Sequence, residues 1–73
     1  MELYSGKIIW FNSKDGFGFI EWFLNGKKQK DMFIHYSDLN MNGFKTINKD
    51  QEVTFKIGKN FKGQDKAIEV TAV

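Results

Sequence analysis

The sequence predicts an all-β domain, a sheet of five short antiparallel strands closed into a barrel, and three observations carry the prediction. No window holds apolar residues at helical spacing. Proline is absent, and the apolar residues fall into short runs divided by clusters of Gly, Asn, Asp and Lys. With no helix to cover a sheet face, curling the sheet on itself is what hides that face and protects its edges. Among such closed sheets, the OB-type barrel is the expected five-stranded form.

The strands are placed at 3–12, 16–24, 31–36, 51–58 and 66–72. Asn12-Ser13-Lys14-Asp15-Gly16 joins the first two as a tight turn, because Asn and Asp bond locally to backbone and Gly tolerates positive φ. Asn25-Gly26 signals the next turn, which Lys27-Lys28-Gln29-Lys30 extends into a basic, mobile tip. Ser37-Asp38-Leu39 suits a short 3₁₀ turn before the longest irregular stretch, Asn40 to Asp50. Lys62-Gly63-Gln64-Asp65 makes the last turn. There is no internal repeat, linker or composition break, so residues 1–73 are expected to form one domain. A domain this small buries only about 60% of its unfolded surface, which argues against a deep internal active site.

Composition narrows the function classes. Cysteine is absent, which removes disulfides and thiolate metal sites and suits a reducing compartment, so a cytoplasmic location is expected. No basic segment leads into an apolar run and no long apolar stretch occurs, so neither export nor a membrane partner is expected. All eleven cations are lysine. Arginine supplies the planar fork that reads guanine edges, whereas lysine acts as a point charge on phosphates, so this set favours backbone tracking over base reading. The 16% aromatic content, with eight phenylalanines, exceeds what so small an interior needs. Some rings are therefore expected to face water.

Alternation decides which rings. In the second strand Phe17, Phe19, Glu21 and Phe23 share one face, and Gly16, Gly18, Ile20 and Trp22 the other. In the third, Phe33 and His35 oppose Met32, Ile34 and Tyr36. An aliphatic interior groups Ile20, Met32 and Ile34 with Val53, Phe55, Ile57, Ile68 and Val70, which sends Phe17, Phe19, Phe33 and His35 outward together. The opposite assignment would leave three aliphatic side chains in water while burying His35 and Glu21, and both outcomes cost free energy. A contiguous exposed ring patch usually marks a binding site. Nucleobases fit it, since stacking on an aromatic ring stabilises by about 1–3 kcal/mol per base and tolerates sequence variation. Lys7, Lys14 and Lys62 sit where they can border the patch.

Four stretches carry a resemblance: Gly6-Lys7-Ile8-Ile9-Trp10-Phe11-Asn12, Gly16-Phe17-Gly18-Phe19-Ile20, Asp31-Met32-Phe33-Ile34-His35-Tyr36-Ser37 and Gly43-Phe44-Lys45-Thr46. In this order, over nearly the whole chain, they resemble the bacterial cold-shock proteins. The RNA-recognition-motif fold has a motif similar to Gly-Phe-Gly-Phe, but with the partner motif earlier in the chain and with helices. The resemblance implies a five-stranded OB barrel, monomeric and without cofactor. It implies binding of single-stranded RNA or DNA, often pyrimidine-rich, as an RNA chaperone or a transcription or translation regulator under cold stress. By position, Trp10, Phe17, Phe19, Phe33, His35, Tyr36 and Phe44 would stack on bases and Phe11 would flank them. Lys7 would contact the backbone, and Asn12 and Asp31 would bond base edges. The outward placement of Trp10 rests on the resemblance, since sequence alone equally allows it in the core. The chain departs from the family pattern at Asp15, where a lysine is usual and Lys14 is a partial substitute, and at Ile9, usually basic. The loop Trp22 to Lys30 is also longer than in short family members.

Other chemistries find little support. His35 is the only histidine, so a metal site lacks ligands and a general base lacks a nucleophile; no catalytic or metal residue is assigned. His35-Tyr36-Ser37-Asp38 contains triad residue types, but triads are assembled in space rather than along one strand. Gly16-Phe17-Gly18 lacks the third glycine and helix of a dinucleotide site. Lys27 to Lys30 reads equally as a solvated loop or as auxiliary phosphate contacts. Trp22 and Phe23 stand open between core edge and enlarged face, and Phe61 between capping the barrel and extending the patch. The rival function is a protein-interaction barrel of SH3 type, gripping proline-rich peptides through the aromatic groove.

Overall fold

The computed structural model describes residues 3–40 and 47–73. Its strands are β1 (Tyr4–Asn12), β2 (Phe17–Leu24), β3 (Lys27–Lys28), β4 (Met32–His35), β5 (Glu52–Lys59) and β6 (Asp65–Ala72). A 3₁₀ turn, Tyr36–Asp38, follows β4. All strand pairs are antiparallel, in the order β3-β2-β1-β5-β6. β4 pairs with the first half of β2, from Phe17↔His35 to Ile20↔Met32. The barrel closes where β4 packs against β6 and where Leu39 forms a parallel bridge with Val70, the Asn40 N–H donating to the Val70 carbonyl at 2.7 Å. This is the expected all-β OB-type barrel.

The turns form for the reasons the residues suggest. The Asn12 side-chain oxygen accepts the N–H groups of Lys14 (3.0 Å) and Asp15 (3.1 Å), and the Gly16 N–H donates to the Asn12 carbonyl at 2.7 Å. Asn25 and Gly26 both have positive φ (54° and 80°), the type I′ geometry whose twist matches a two-residue hairpin. That turn lets Lys27 and Lys28 pair with Leu24 and Phe23, so a sixth strand replaces part of the expected loop. The Trp22 indole N–H then donates to the Lys30 carbonyl at 3.0 Å, fastening the far end of the hairpin.

The core is Ile8, Ile20, Trp22, Met32, Ile34, Leu39, Ile47, Val53, Phe55, Ala67 and Val70. Trp22 therefore belongs inside, in edge contact with Tyr4 (5.2 Å) and Phe55 (5.7 Å). Ile57 packs against this cluster from its margin. Ile68 does not reach it as expected and is only half-buried. The reason is a bulge: between the pairs Thr54↔Thr71 and Lys56↔Ile68, β6 holds one residue more than β5, and Glu69 takes φ 48°. The extra residue breaks the alternation, so Ala67 and Val70, three apart, both turn inward.

A second bulge sets the outer face. Ile8 pairs with Ile20 but Trp10 pairs with Phe19, so β1 has one extra residue, at Ile9. Trp10 shares the parity of buried Ile8, and unbroken alternation would drive it into the core. With the bulge it joins Phe19 on the outside, 41% exposed, and Phe11 takes the inner side opposite Gly18, packed against the core. Gly18 permits this close approach: a Cβ there would lie 2.3 Å from the Trp10 carbonyl oxygen and 2.8 Å from the Phe11 Cα.

Candidate nucleic-acid interface

β1, β2 and β4 carry adjoining rings on their common outer face. Phe17 stands across from His35 and Phe19 across from Phe33. The Phe17 and Phe33 rings stack with centroids 6.0 Å apart, while Phe19 meets Phe33 edge-on at 5.9 Å. Trp10 covers the other side, 5.5 Å from both Phe17 and Phe19. Each of the phenylalanines is half-buried, supported by neighbouring rings yet open to solvent. The aliphatic side chains of the same strands, Ile20, Met32 and Ile34, are at most 5% exposed, so the core makes no use of these rings.

His35 and Tyr36 extend the face past the end of β4. The His35 Nδ1 lies 2.8 Å from the Ser37 hydroxyl and accepts the Ser37 N–H at 3.2 Å, which caps the 3₁₀ turn and fixes the imidazole plane. The turn breaks the strand alternation that would send Tyr36 inward. Its N–H donates to the Gly16 carbonyl at 2.8 Å, and its ring lies 4.6 Å from His35 and 48% exposed.

Two expected contacts take other positions. Phe11 packs toward the core, beneath the ring face instead of beside it, because of the bulge at Ile9. The Asn12 amide is engaged in its own turn, its oxygen by two N–H groups and its nitrogen by the Asp15 carboxylate at 3.0 Å. This leaves it little capacity for base edges. Asp15 is likewise held in the turn, beside exposed Lys14. Phe44 lies outside the described residues. Phe61 does not cap the barrel; it is 95% exposed. Phe23, 53% exposed, continues the outer face of β2 opposite Lys28.

A groove borders the rings at Phe19 and Phe33, lined also by Lys30, Asp31, Asn60 and Gln64 among others. Asp31, expected at the site, is there, and so is Lys30, open in the sequence between solvated loop and auxiliary phosphate contact; Asn60 is an addition that sequence reasoning left unassigned. Asn60 comes 30 residues after Lys30, in another loop, so no local signal marks it. The lysines divide by partner. Among the described residues, Lys56, Lys59 and Lys66 pair with Glu69, Asp65 and Asp38. Lys14, Lys27, Lys28, Lys30 and Lys62 are exposed and form no ion pair among the described residues. Lys7 is also exposed and forms no ion pair among the described residues, standing between Glu21 and Glu52 in the strand register. Unpaired cations thus lie in the strand and turns around the rings, where they can meet an anion without first losing a carboxylate. The described residues hold no cluster of metal-ligating side chains.

The model of the 'Cold-shock' DNA-binding domain matches residues 4–73. The chain is 41% identical over 73 residues to cold shock-like protein CspC of Escherichia coli, with 100% of both chains covered. Over 55 residues it is 46% identical to cold shock-like protein CspD of Bacillus cereus, covering 75% of this chain and 77% of that one. A cold shock protein of Arthrobacter globiformis is 41% identical over 58 residues, covering 80% and 82%.

Proposed function

This chain belongs to the cold-shock domain family, whose fold is a nucleic-acid-binding one, and from that premise we propose that it binds single-stranded RNA or DNA on the ring face. The observation that carries the proposal is the outer face itself: Trp10, Phe17, Phe19 and Phe33 form one unbroken aromatic surface that the core does not need. Unpaired bases have free π-faces for these rings, each contributing about 1–3 kcal/mol, while the bases of a duplex already stack on one another. His35 and Tyr36 continue the run of rings at one end. The lysines without carboxylate partners neutralise phosphates, and the lack of arginine keeps base reading weak. Asp31 supplies an acceptor for exocyclic amines at the groove edge.

Holding bases apart in this way keeps a transcript unpaired, the action of an RNA chaperone, and a pyrimidine-rich strand suits it because small bases splay readily. A role during cold stress goes with this reading, supported by the names of the relatives, and we take that role as non-enzymatic, monomeric and cytoplasmic. Trp10 gives the test, since it is 41% exposed on the ring face whereas Trp22 is only 7% exposed. Oligouridylate or oligothymidylate should quench Trp10 emission, with affinity falling as salt rises. Quenching by a proline-rich peptide alone, or equal affinity for matched duplex, overturns the proposal.

A further inference from the structure

Phe61 is a large apolar side chain that the fold leaves almost wholly in water, 95% exposed, although the turn beneath it is firmly built. The Asn60 side-chain oxygen accepts the N–H groups of Lys62 and Gln64, both at 2.9 Å, and its amide donates to the Gln64 side chain at 3.1 Å. The Gly63 N–H closes the turn onto the Asn60 carbonyl at 2.9 Å. One face of the Phe61 ring lies under the Lys62 ammonium, 5.8 Å from the centroid. Ring and cation are therefore presented together, and neither contributes to the core or to an ion pair.

The turn also has a position. Asn60, Gly63 and Gln64, which flank Phe61 and Lys62, line the groove whose other wall holds Phe19 and Phe33. A strand leaving the ring face by this groove passes Lys30 and arrives at the β5–β6 turn. Resting on the function proposed above, we propose that Phe61 is a further stacking site for a nucleobase, across the groove from the main face, with Lys62 on the adjacent phosphate. Charge favours a nucleic acid over an apolar protein segment as the occupant: of the groove's two carboxylates Asp65 is held by Lys59, leaving Asp31 against Lys30 and Lys62, which form no ion pair among the described residues. The turn thereby lengthens the bound strand instead of strengthening its grip on the central bases.

Binding should therefore depend on ligand length. Single-stranded oligothymidylates of about four and about twelve nucleotides fall at the short end and well within the range of OB-fold site sizes. In Phe61→Ala, the ratio of affinity for the longer over the shorter oligonucleotide should fall roughly tenfold, the equivalent of one lost base stack at about 1.4 kcal/mol. Phe61→Trp should keep the ratio, and Phe61→Leu, apolar without a π-face, should lose it as alanine does. An unchanged ratio in Phe61→Ala, or full retention in Phe61→Leu, overturns the inference. Failure of the unsubstituted protein to bind either oligonucleotide instead overturns the function on which it rests, so the two failures are distinguishable. Thermal unfolding of each variant checks that the fold is intact, and a side chain this exposed has little to lose.

Discussion

Gly18→Ala tests whether the site and the fold depend on one close approach between β1 and β2. A Cβ at Gly18 meets the Trp10 carbonyl oxygen at 2.3 Å, where ordinary contact begins at 3.4 Å. The obstacle is main chain, with the Phe11 Cα at 2.8 Å behind it, so no rotamer change relieves it. Relief requires β1 to move about 1 Å from β2, a fifth of the spacing between paired strands. Overpacking of this kind costs about 1–3 kcal/mol, and a weakened ladder bond adds about 1 kcal/mol. The expected loss is therefore about 2–4 kcal/mol. A chain of 73 residues has a total stability of roughly 4–11 kcal/mol. At about 4–8 °C per kcal/mol, the Tm should drop by roughly 8–32 °C. Gly26→Ala is the control: nothing lies within 4 Å of its Cβ, and only the φ of 80° is strained, worth about 1–2 kcal/mol. Denaturant unfolding should rank the two, with a lower midpoint for Gly18→Ala at an unchanged slope. Equal stability of the two variants would refute the reasoning, because the bulge and its glycine would then not govern the approach.

Two further outcomes separate the outer from the inner face and test the hairpin. Phe17→Ala should weaken oligothymidylate binding by about 1–3 kcal/mol. Ile34→Ala, at a fully buried position, should lose about 2–5 kcal/mol of stability. Titration and denaturant melts of both variants decide it, and binding unaffected by Phe17→Ala counts against the ring face. Replacing Lys27, Lys28 and Lys30 together by Gln should flatten the dependence of log affinity on log salt by about 0.7 for each phosphate released. A slope identical to that of the parent protein would show the hairpin to be a solvated extension only.

Much of this site was readable along the chain. The outer placement of Phe17, Phe19, Phe33 and His35 follows from period-2 alternation and the need to bury Ile20, Met32 and Ile34, and the structure pairs them as expected. The turns at Asn12 and at Asn25-Gly26 followed from local backbone chemistry, which needs no distant partner. Trp22 and Phe61 were undecided because the sequence does not state how much interior the barrel has. Packing gave Trp22 the core, beside Phe55, and left Phe61 in water.

What the sequence determined by itself was therefore the all-β class, the positions of the long strands and most of the aromatic face, all properties of short-range period and composition. What only the tertiary structure decided was parity at two points. The bulge at Ile9 turns Trp10 outward and Phe11 inward, and the bulge at Glu69 brings Ala67 and Val70 to the core while leaving Ile68 half-buried outside it. An extra residue in one strand exists only relative to its partner, so alternation within a single strand carries no record of it. The same holds for the groove below Phe19 and Phe33, whose far wall is built by a turn that sequence separates from those rings and only barrel closure brings back.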